Sequence, residues 1–202
     1  MTLRAYAHLL RLHKPVGTAL LWFPTAWALW LSNAGLPPPS LIVYFFVGTF
    51  IMRSAGCLIN DLADRHVDPH VERTKNRPLA THAVSIPSAI TLLFLLLLIA
   101  FIILLQLPVV CFKYAVISVI FTAAYPFFKR FFDAPQLILG LTFSMGIPMA
   151  YAASGVALNT TAGLLILINF FWIIAYDTIY AMADKPDDLK IGVRSTAILF
   201  AH

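Results

Sequence analysis

Six long apolar segments, separated by short polar connections, limit what this chain can fold into. They span residues 16 to 33, 41 to 60, 84 to 105, 109 to 128, 134 to 153 and 160 to 181. About 20 mostly apolar residues cross the hydrocarbon core of a membrane as a helix, because backbone in lipid must satisfy its own hydrogen bonds. With "VRSTAILFAH" as the start of a seventh span, the sequence predicts an all-α, polytopic transmembrane helical bundle that forms a single domain over residues 1–202.

The composition excludes an ordinary soluble protein. Hydrophobic residues make up 60% of the chain and charged residues only 11%, whereas about a quarter of a soluble domain is charged. The net charge of +5 is distributed between the apolar segments, so we expect no nucleic-acid partner. Cys57 and Cys111 lack metal or redox spacing and are expected to be packing residues. Pro24 and Pro148 are expected to kink the first and fifth spans.

The lysines and arginines fall on alternate connections. The N-terminal arm and the connections after the second, fourth and sixth segments are basic, whereas "NAGLPPPS", "QLP" and "SGVALNT" hold no lysine or arginine. Because basic loops remain in the cytoplasm, this pattern predicts cytoplasmic termini and three cytoplasmic charged loops.

The carboxylates form two groups on that same predicted face. Eight of the nine acids follow the second segment or end the sixth: Asp61, Asp64, Asp68 and Glu72, then Asp177, Asp184, Asp187 and Asp188. If the second helix continues, the spacing of Asp61, Asp64 and Asp68 places them on one helical face. Asp177 and Asp184 also align, with Tyr180 between them, and Pro186 is expected to break or restart the helix.

This arrangement favours a cation site. Clustered carboxylates repel each other, and their hard oxygens suit Mg²⁺ whose shell is completed by substrate phosphates. Either cluster alone is typical of a solvated loop, but the matched pair indicates a site. The interleaved basic residues are candidates for binding phosphate oxygens: Arg65, Arg73, Lys75, Arg77, Lys185 and Arg194.

Two motifs carry a family resemblance. "NDLADRHVD" matches NDxxDxxxD and "DTIYAMADKPDD" matches DxxYAxxDxxDD, the motifs of the UbiA superfamily of intramembrane aromatic prenyltransferases. "HKPVGTALLWFPTAWALW", "MRSAGCLIND", "RTKNRPLA" and "KIGVRSTAILF" resemble its 4-hydroxybenzoate polyprenyltransferase branch. The resemblance covers nearly the whole chain.

The resemblance implies a Mg²⁺-dependent enzyme in ubiquinone biosynthesis that joins a polyprenyl group to 4-hydroxybenzoate, ortho to the hydroxyl. Its partners would be polyprenyl diphosphate, 4-hydroxybenzoate and the bilayer, with protein partners left open. The bacterial inner membrane is the expected location and the mitochondrial inner membrane the alternative. The implied metal ligands are Asp61, Asp64, Asp68, Asp177, Asp184 and Asp188.

The resemblance also assigns catalytic and substrate roles. Asp64, Asp68, Asp184 and Asp188 would be catalytic together with Tyr180, and Asn60 would bind substrate. Aromatic faces can stabilise an allylic cation, for which Tyr125, Phe170 and Phe171 are further candidates. Arg53 lies inside the second span, where an arginine is costly and usually functional, and would bind diphosphate or the aromatic carboxylate.

Some alternatives remain open at this stage. Members of the superfamily generally carry further C-terminal helices, so we expect this chain to be short and, on its own, of uncertain activity. It could be an inactive truncated member or use another aromatic acceptor, such as a naphthoate or homogentisate. A cation transporter is less well supported, because the acids sit at one surface rather than at the midplane.

Overall fold

The structure is a computed structural model, and it describes residues 3 to 200. Over these residues the chain is helical, with no β-strand, which confirms the predicted all-α class. The helices are α1 Leu3–Leu9, α2 Val16–Ser32, α3 Pro39–Ala63, α4 Ile86–Leu104, α5 Cys111–Phe128, α6 Gln136–Ser144, α7 Gly146–Ala153, α8 Thr160–Ile191 and α9 Thr196–Leu199.

All six predicted segments are helical, and the fifth consists of two helices, α6 and α7. Five are long and apolar enough to cross a membrane: α3, α4, α5, the pair Gln136–Ala153 formed by α6 and α7, and α8. The first, α2, is apolar but has 17 residues, the short end of the range for a spanning helix. The protein is therefore an integral membrane protein. The expected seventh span coincides with α9, and Ala201 and His202 lie outside the described residues.

The fifth span is interrupted close to its proline. Helix α6 ends at Ser144 and α7 begins at Gly146. Pro148 has no N–H to donate to the Ser144 carbonyl, so the helical bond pattern fails at this point. The Asn169 amide donates to the Ser144 hydroxyl at 3.0 Å, a buried polar contact that fixes the broken span against α8. Helix α2, by contrast, runs through Pro24 without interruption.

Helix α8 also continues through a proline, and here the sequence-based expectation was wrong. Pro186 neither ends nor restarts the helix, which runs on to Ile191 and stops at Gly192, a residue in the left-handed conformation with φ of 73°. The only helical bond that Pro186 removes is the one to the Met182 carbonyl. Both residues are exposed, so water can replace that bond. Asp187 and Asp188 therefore lie on the helix and not in a turn.

The first acidic group also differs from the prediction, because here the helix ends earlier than expected. Helix α3 ends at Ala63 with Asp64 as its C-cap, and Asp68 begins a short 3-10 helix, Asp68–His70. The helix thus stops before Asp68 and well short of Pro69. The expected continuous helical face shared by Asp61, Asp64 and Asp68 is therefore absent.

The two ends of the bundle are chemically different. At one end the Ser32 hydroxyl and the Asn33 amide both donate to the Ser154 hydroxyl at 2.8 Å, and a core cluster that includes Leu29, Leu107 and Tyr151 packs nearby. At the opposite end lie α1, the long connection after α3, the α5 to α6 connection and the end of α8. The charged connections therefore meet at one end, as the loop charges predicted.

Candidate active site

A cavity of about 120 Å³ opens at the charged end of the bundle. Its walls come from the connection after α3, the end of α5, the start of α6, the end of α8 and the segment before α9. Five of the six predicted metal ligands line it: Asp64, Asp68, Asp177, Asp184 and Asp188. The fold thus brings together two acidic groups that are more than a hundred residues apart in the sequence.

Basic side chains share the same walls. The cavity is lined by Arg73, Arg77, Lys129, Arg130 and Arg194. Of these, Arg73, Arg77 and Arg194 were predicted to bind substrate from the sequence. Acidic and basic side chains therefore line the same cavity.

Lys129 is a cavity residue that the sequence did not single out. Its Nζ donates to the Asp64 carboxylate at 3.3 Å and to Asn60 Oδ1 at 3.1 Å, and it lies 4.9 Å from the centroid of the Tyr125 ring. In the sequence Lys129 reads only as a basic residue of a cytoplasmic loop. Nothing in the spacing connects it to the acidic motif, because the contact spans 65 positions.

Asp68 is held by Arg77. Arg77 Nη1 donates to both oxygens of the Asp68 carboxylate at 2.9 Å, and the Thr74 hydroxyl donates to the Asp68 backbone carbonyl at 3.0 Å. Asp68 is only 3% exposed. Its burial raises the pKa of the carboxyl group, and the charge of Arg77 opposes that shift.

Asp61 lies behind the cavity rather than in its wall. It is 1% exposed and accepts from Arg11 Nη2 at 2.7 and 2.9 Å, while Arg77 Nη1 lies 3.1 Å away. Arg77 therefore bridges Asp61 and Asp68. Arg11, which the sequence did not single out, ties the N-terminal arm to the first acidic group.

Two carboxylates of the second acidic group, on α8, accept hydrogen bonds from other segments of the cavity wall. Arg73 Nε donates to the Asp184 carboxylate at 2.8 and 3.1 Å, and Arg73 Cζ lies 5.2 Å from the centroid of the Tyr180 ring. The hydrogen bond to Asp184 raises the pKa of Arg73. The Tyr125 hydroxyl donates to Asp177 at 3.2 Å. Tyr125 and Tyr180 both line the cavity.

The long connection is also attached to the outer side of α8. The Glu72 backbone N–H donates to Asp187 at 3.1 Å, and Lys190 Nζ donates to the same carboxylate at 3.1 Å. This contact and the Arg73 to Asp184 pair hold the connection across the end of α8.

Other predicted substrate-binding residues lie outside the cavity wall. Arg65 donates to the Leu62 carbonyl at 2.8 Å, and Lys75 pairs with Glu72 at 2.7 Å. Lys185 is also absent from the lining residues. The candidate aromatic residues Phe170 and Phe171 contact each other, with ring centroids 5.2 Å apart, and neither lines the cavity.

Arg53 lies deeper in the bundle. It sits seven residues before Asn60 on α3, roughly 10 Å along the helix axis, and does not line the cavity. Its guanidinium packs against Gly17 and donates to the Cys57 sulfur. The Nε of Arg53 is buried and has no hydrogen-bond partner among residues 3 to 200. An intramembrane cation with an unsatisfied donor is typical of a site for an anionic group.

The donor set fits a hard divalent cation. Carboxylate oxygens are the ligands that Mg²⁺ prefers, and five carboxylates line one cavity. Within residues 3 to 200 no group of three such ligands is already gathered around one point. Three of the five pair with basic side chains: Asp64 with Lys129, Asp68 with Arg77 and Asp184 with Arg73. These bases can also bind another anion, and phosphate oxygens are suitable acceptors.

Comparison with known proteins agrees with this chemistry. Residues 21–202 match the model of the UbiA prenyltransferase family. A 4-hydroxybenzoate octaprenyltransferase of Legionella pneumophila (strain Lens) is 63% identical over 197 residues, which cover 98% of this chain and 70% of that relative. The enzyme with the same name from Nitrosomonas europaea is 51% identical, over 97% of this chain and 67% of the relative.

Solved structures share the fold. A UbiA homolog from Aeropyrum pernix K1 gives a TM-score of 0.78 at 23% identity, covering 89% of this chain and 68% of that one. A UbiA homolog from Archaeoglobus fulgidus, bound to GPP and Mg²⁺, gives a TM-score of 0.78 at 19% identity. The match covers 97% of this chain and 69% of that one. The family model matches most of the chain, and the two octaprenyltransferases are 63% and 51% identical to it. The chain therefore belongs to the UbiA prenyltransferase family.

Proposed function

We propose that this protein transfers a polyprenyl group from polyprenyl diphosphate to the ring of 4-hydroxybenzoate, ortho to the hydroxyl, in ubiquinone biosynthesis. The observation that carries the proposal is the single cavity in which both acidic groups and five basic side chains meet. Relatives at 51 to 63% identity that are named 4-hydroxybenzoate octaprenyltransferases support the choice of acceptor.

In this proposal Mg²⁺ is held by the carboxylates that line the cavity: Asp64, Asp68, Asp184 and Asp188, with Asp177 beside them. A bound Mg²⁺ would neutralise the diphosphate and make it a better leaving group. Asp61 serves a different purpose, because it is enclosed by Arg11 and Arg77. It orients Arg77, which in turn positions Asp68.

The basic residues bind the diphosphate. Arg73, Lys129 and Arg77 each pair with a cavity carboxylate. When the substrate enters, they transfer their hydrogen bonds to phosphate oxygens and release the carboxylates. Each of these three cations then exchanges one anionic partner for another, which avoids the cost of an isolated buried ion.

Two tyrosines face the reacting carbon of the prenyl group. Tyr180 lies on α8 one turn before Asp184, and Tyr125 lies across the cavity beside Asp177. An aromatic face attracts a cation, and exclusion of water protects a carbocation from premature capture. We therefore assign Tyr180, with Tyr125, to stabilising the allylic cation.

Arg53 binds the carboxylate of the acceptor. Its position below the phosphate-binding residues places it too deep for the diphosphate, and its buried Nε needs an acceptor. A benzoate carboxylate bound there would direct the phenol ring upward towards Tyr180. The same superfamily accepts other aromatic compounds, and an acceptor without a carboxylate would leave Arg53 unpaired.

The bilayer supplies the donor, since a polyprenyl chain is soluble only in lipid. We propose that the protein resides in a bacterial inner membrane with the cavity facing the cytoplasm, as the basic loops indicate.

The test is metal-dependent transfer of a labelled prenyl chain to 4-hydroxybenzoate by the protein in membranes. Asp184→Asn removes a carboxylate from the cavity, and we expect activity to fall by about 100-fold or more. Glu72→Gln is the matched control, because its side chain is 79% exposed and lies outside the cavity. Wild-type turnover by Asp184→Asn would refute the assigned role. A screen of several aromatic acids tests the acceptor. Preference for an acid other than 4-hydroxybenzoate would refute the proposed substrate.

A further inference from the structure

Ser195 carries a hydroxyl group that the assigned roles leave unexplained. The residue is 4% exposed and lines the cavity, yet its Oγ has no hydrogen-bond partner among residues 3 to 200. It occupies the N-cap position of α9, where a serine usually accepts a bond from the helix, but no such bond forms here. A buried hydroxyl without a partner costs free energy, so this group needs a partner that enters the cavity.

The backbone around Ser195 is fixed on three sides. The Val193 N–H donates to the Asp188 carbonyl at 3.0 Å and the Arg194 N–H to the Lys129 carbonyl at 2.9 Å. The Thr196 N–H donates to Gln136 Oε1 at 3.0 Å. These bonds connect the segment to the end of α8, the end of α5 and the start of α6. The backbone that carries the hydroxyl is therefore fixed without a ligand, which reduces the entropy lost on binding.

The surroundings define the class of ligand. Lys129 and Arg194, whose backbones are joined by the bond above, both line the cavity beside Ser195. Arg194 Nη1 donates to Asp133 at 2.9 Å on the outer side. A buried hydroxyl in a cavity that Lys129 also lines suits an oxyanion with several acceptor oxygens, and phosphate is such a group.

We propose that the Ser195 hydroxyl donates a hydrogen bond to a phosphate oxygen of the prenyl diphosphate, next to Lys129. The inference rests on the proposed function and adds a residue to it. Ser195 is thus a substrate-binding residue of the segment Val193–Thr196, which joins the second acidic group to the phosphate-binding side of the cavity.

Binding of inorganic pyrophosphate in the presence of Mg²⁺, measured calorimetrically on the full chain in nanodiscs, tests the proposal. We expect Ser195→Ala to weaken binding about tenfold, the range for a hydrogen bond to a charged group, and Ser195→Thr to stay within about threefold of wild type because it keeps the hydroxyl. Ser154→Ala is the matched control. It removes a partnered hydroxyl at the opposite end of the bundle, and we expect unchanged binding.

Unchanged pyrophosphate affinity in Ser195→Ala would overturn the proposal and would mean that water alone satisfies the hydroxyl. Equal losses in the alanine and threonine variants would also overturn it, since they indicate a packing role. Steady-state kinetics of Ser195→Ala provide a second readout. If Ser195 binds the donor, the KM for the donor rises and the KM for 4-hydroxybenzoate stays unchanged. If the variant misfolds, the active fraction falls and neither KM changes. If the wild type binds pyrophosphate but transfers no prenyl group, the proposed function fails while the role of Ser195 is still measured.

Discussion

At the scale of single residues, the cavity is organised by ion pairs between distant parts of the chain. Lys129 joins Asn60 and Asp64, Arg73 reaches Asp184, and Arg77 bridges Asp61 and Asp68. Each pair balances the charge of a carboxylate that would otherwise repel its acidic neighbours. They also explain how so many acids can be buried at the edge of a membrane without a large loss of stability.

Gly17 provides space for Arg53. A Cβ atom at position 17 would lie 2.3 Å from Arg53 Nη2 and 2.4 Å from Nε, so Gly17→Ala must displace the guanidinium. We expect the KM for 4-hydroxybenzoate to rise about tenfold, the loss of one charged hydrogen bond, with the KM for the donor unchanged. Stability should change little, because the end of a flexible side chain can move.

Gly163→Ala is the control for this prediction. Gly163 is also helical, but a Cβ there meets no atom within 4 Å, so we expect wild-type kinetics. Equal KM values for the acceptor in Gly17→Ala and in wild type would show that Arg53 does not bind the carboxylate.

The sequence predicted the identity of the cavity acids, because both motifs are local patterns with helical spacing. It could not predict which bases pair with them. Lys129 and Arg11 belong to no local pattern, and only the tertiary fold brings them to Asp64 and Asp61. Ser195 was equally invisible, since its distinguishing property is an unpaired hydroxyl group in a wall built from distant segments.

At the scale of elements, α8 does the most to shape the site. It supplies Asp177, Tyr180, Asp184 and Asp188 along one continuous helix, and its end positions the segment that carries Ser195. The start of α8 is fixed by Asn159, whose side chain accepts from the Ala162 N–H at 3.0 Å. Its end is fixed by Gly192 in the left-handed conformation.

Replacement of Gly192 tests the importance of that helix end. The φ of 73° is unfavourable for an alanine, and we expect Gly192→Ala to lower the free energy of unfolding by about 1 kcal/mol. Gly192→Asn should lose less, since asparagine tolerates this conformation better. Thermal unfolding in detergent measures both. An alanine variant as stable as wild type would indicate that the chain leaves α8 by another path.

Helix positions were readable from hydropathy, but helix ends near prolines were not. Pro148 disrupts its span, whereas Pro24 and Pro186 lie within continuous helices. The outcome depends on whether the freed carbonyl can find another partner and on how neighbouring helices pack. Both conditions depend on the tertiary structure, which local sequence patterns do not contain. For the same reason, the extension of α3 to Asp68 was predicted and does not occur.

At the scale of the whole molecule, most ionic groups lie at one end of the bundle, and Lys113, near the start of α5, is an exception. The acids and bases of the cavity are gathered at one end of the bundle, and the opposite end is joined by uncharged contacts among Ser32, Asn33 and Ser154. The alternation of basic and uncharged connections in the sequence was sufficient to predict this segregation, because each span reverses the side of the next connection.

Single cysteines on either side of α3 test the orientation. We expect Glu72→Cys to react with a membrane-impermeant maleimide only from the cytoplasmic face and Leu36→Cys only from the opposite face. Both positions are suitable, since Leu36 is 78% exposed and the Glu72 side chain is 79% exposed. The native Cys57 and Cys111 are buried and give the background. Labelling of both variants from one face would contradict the predicted topology.

The segregation of charge has an energetic consequence. Moving one elementary charge through a membrane potential of 100 mV involves about 2.3 kcal/mol, and a turnover that carried a diphosphate through the hydrocarbon would depend steeply on voltage. Here the donor's charged head can arrive and leave by the leaflet on which the cavity opens, while its tail stays among the lipids. We therefore expect the transfer rate in sealed vesicles to stay the same when a membrane potential is imposed.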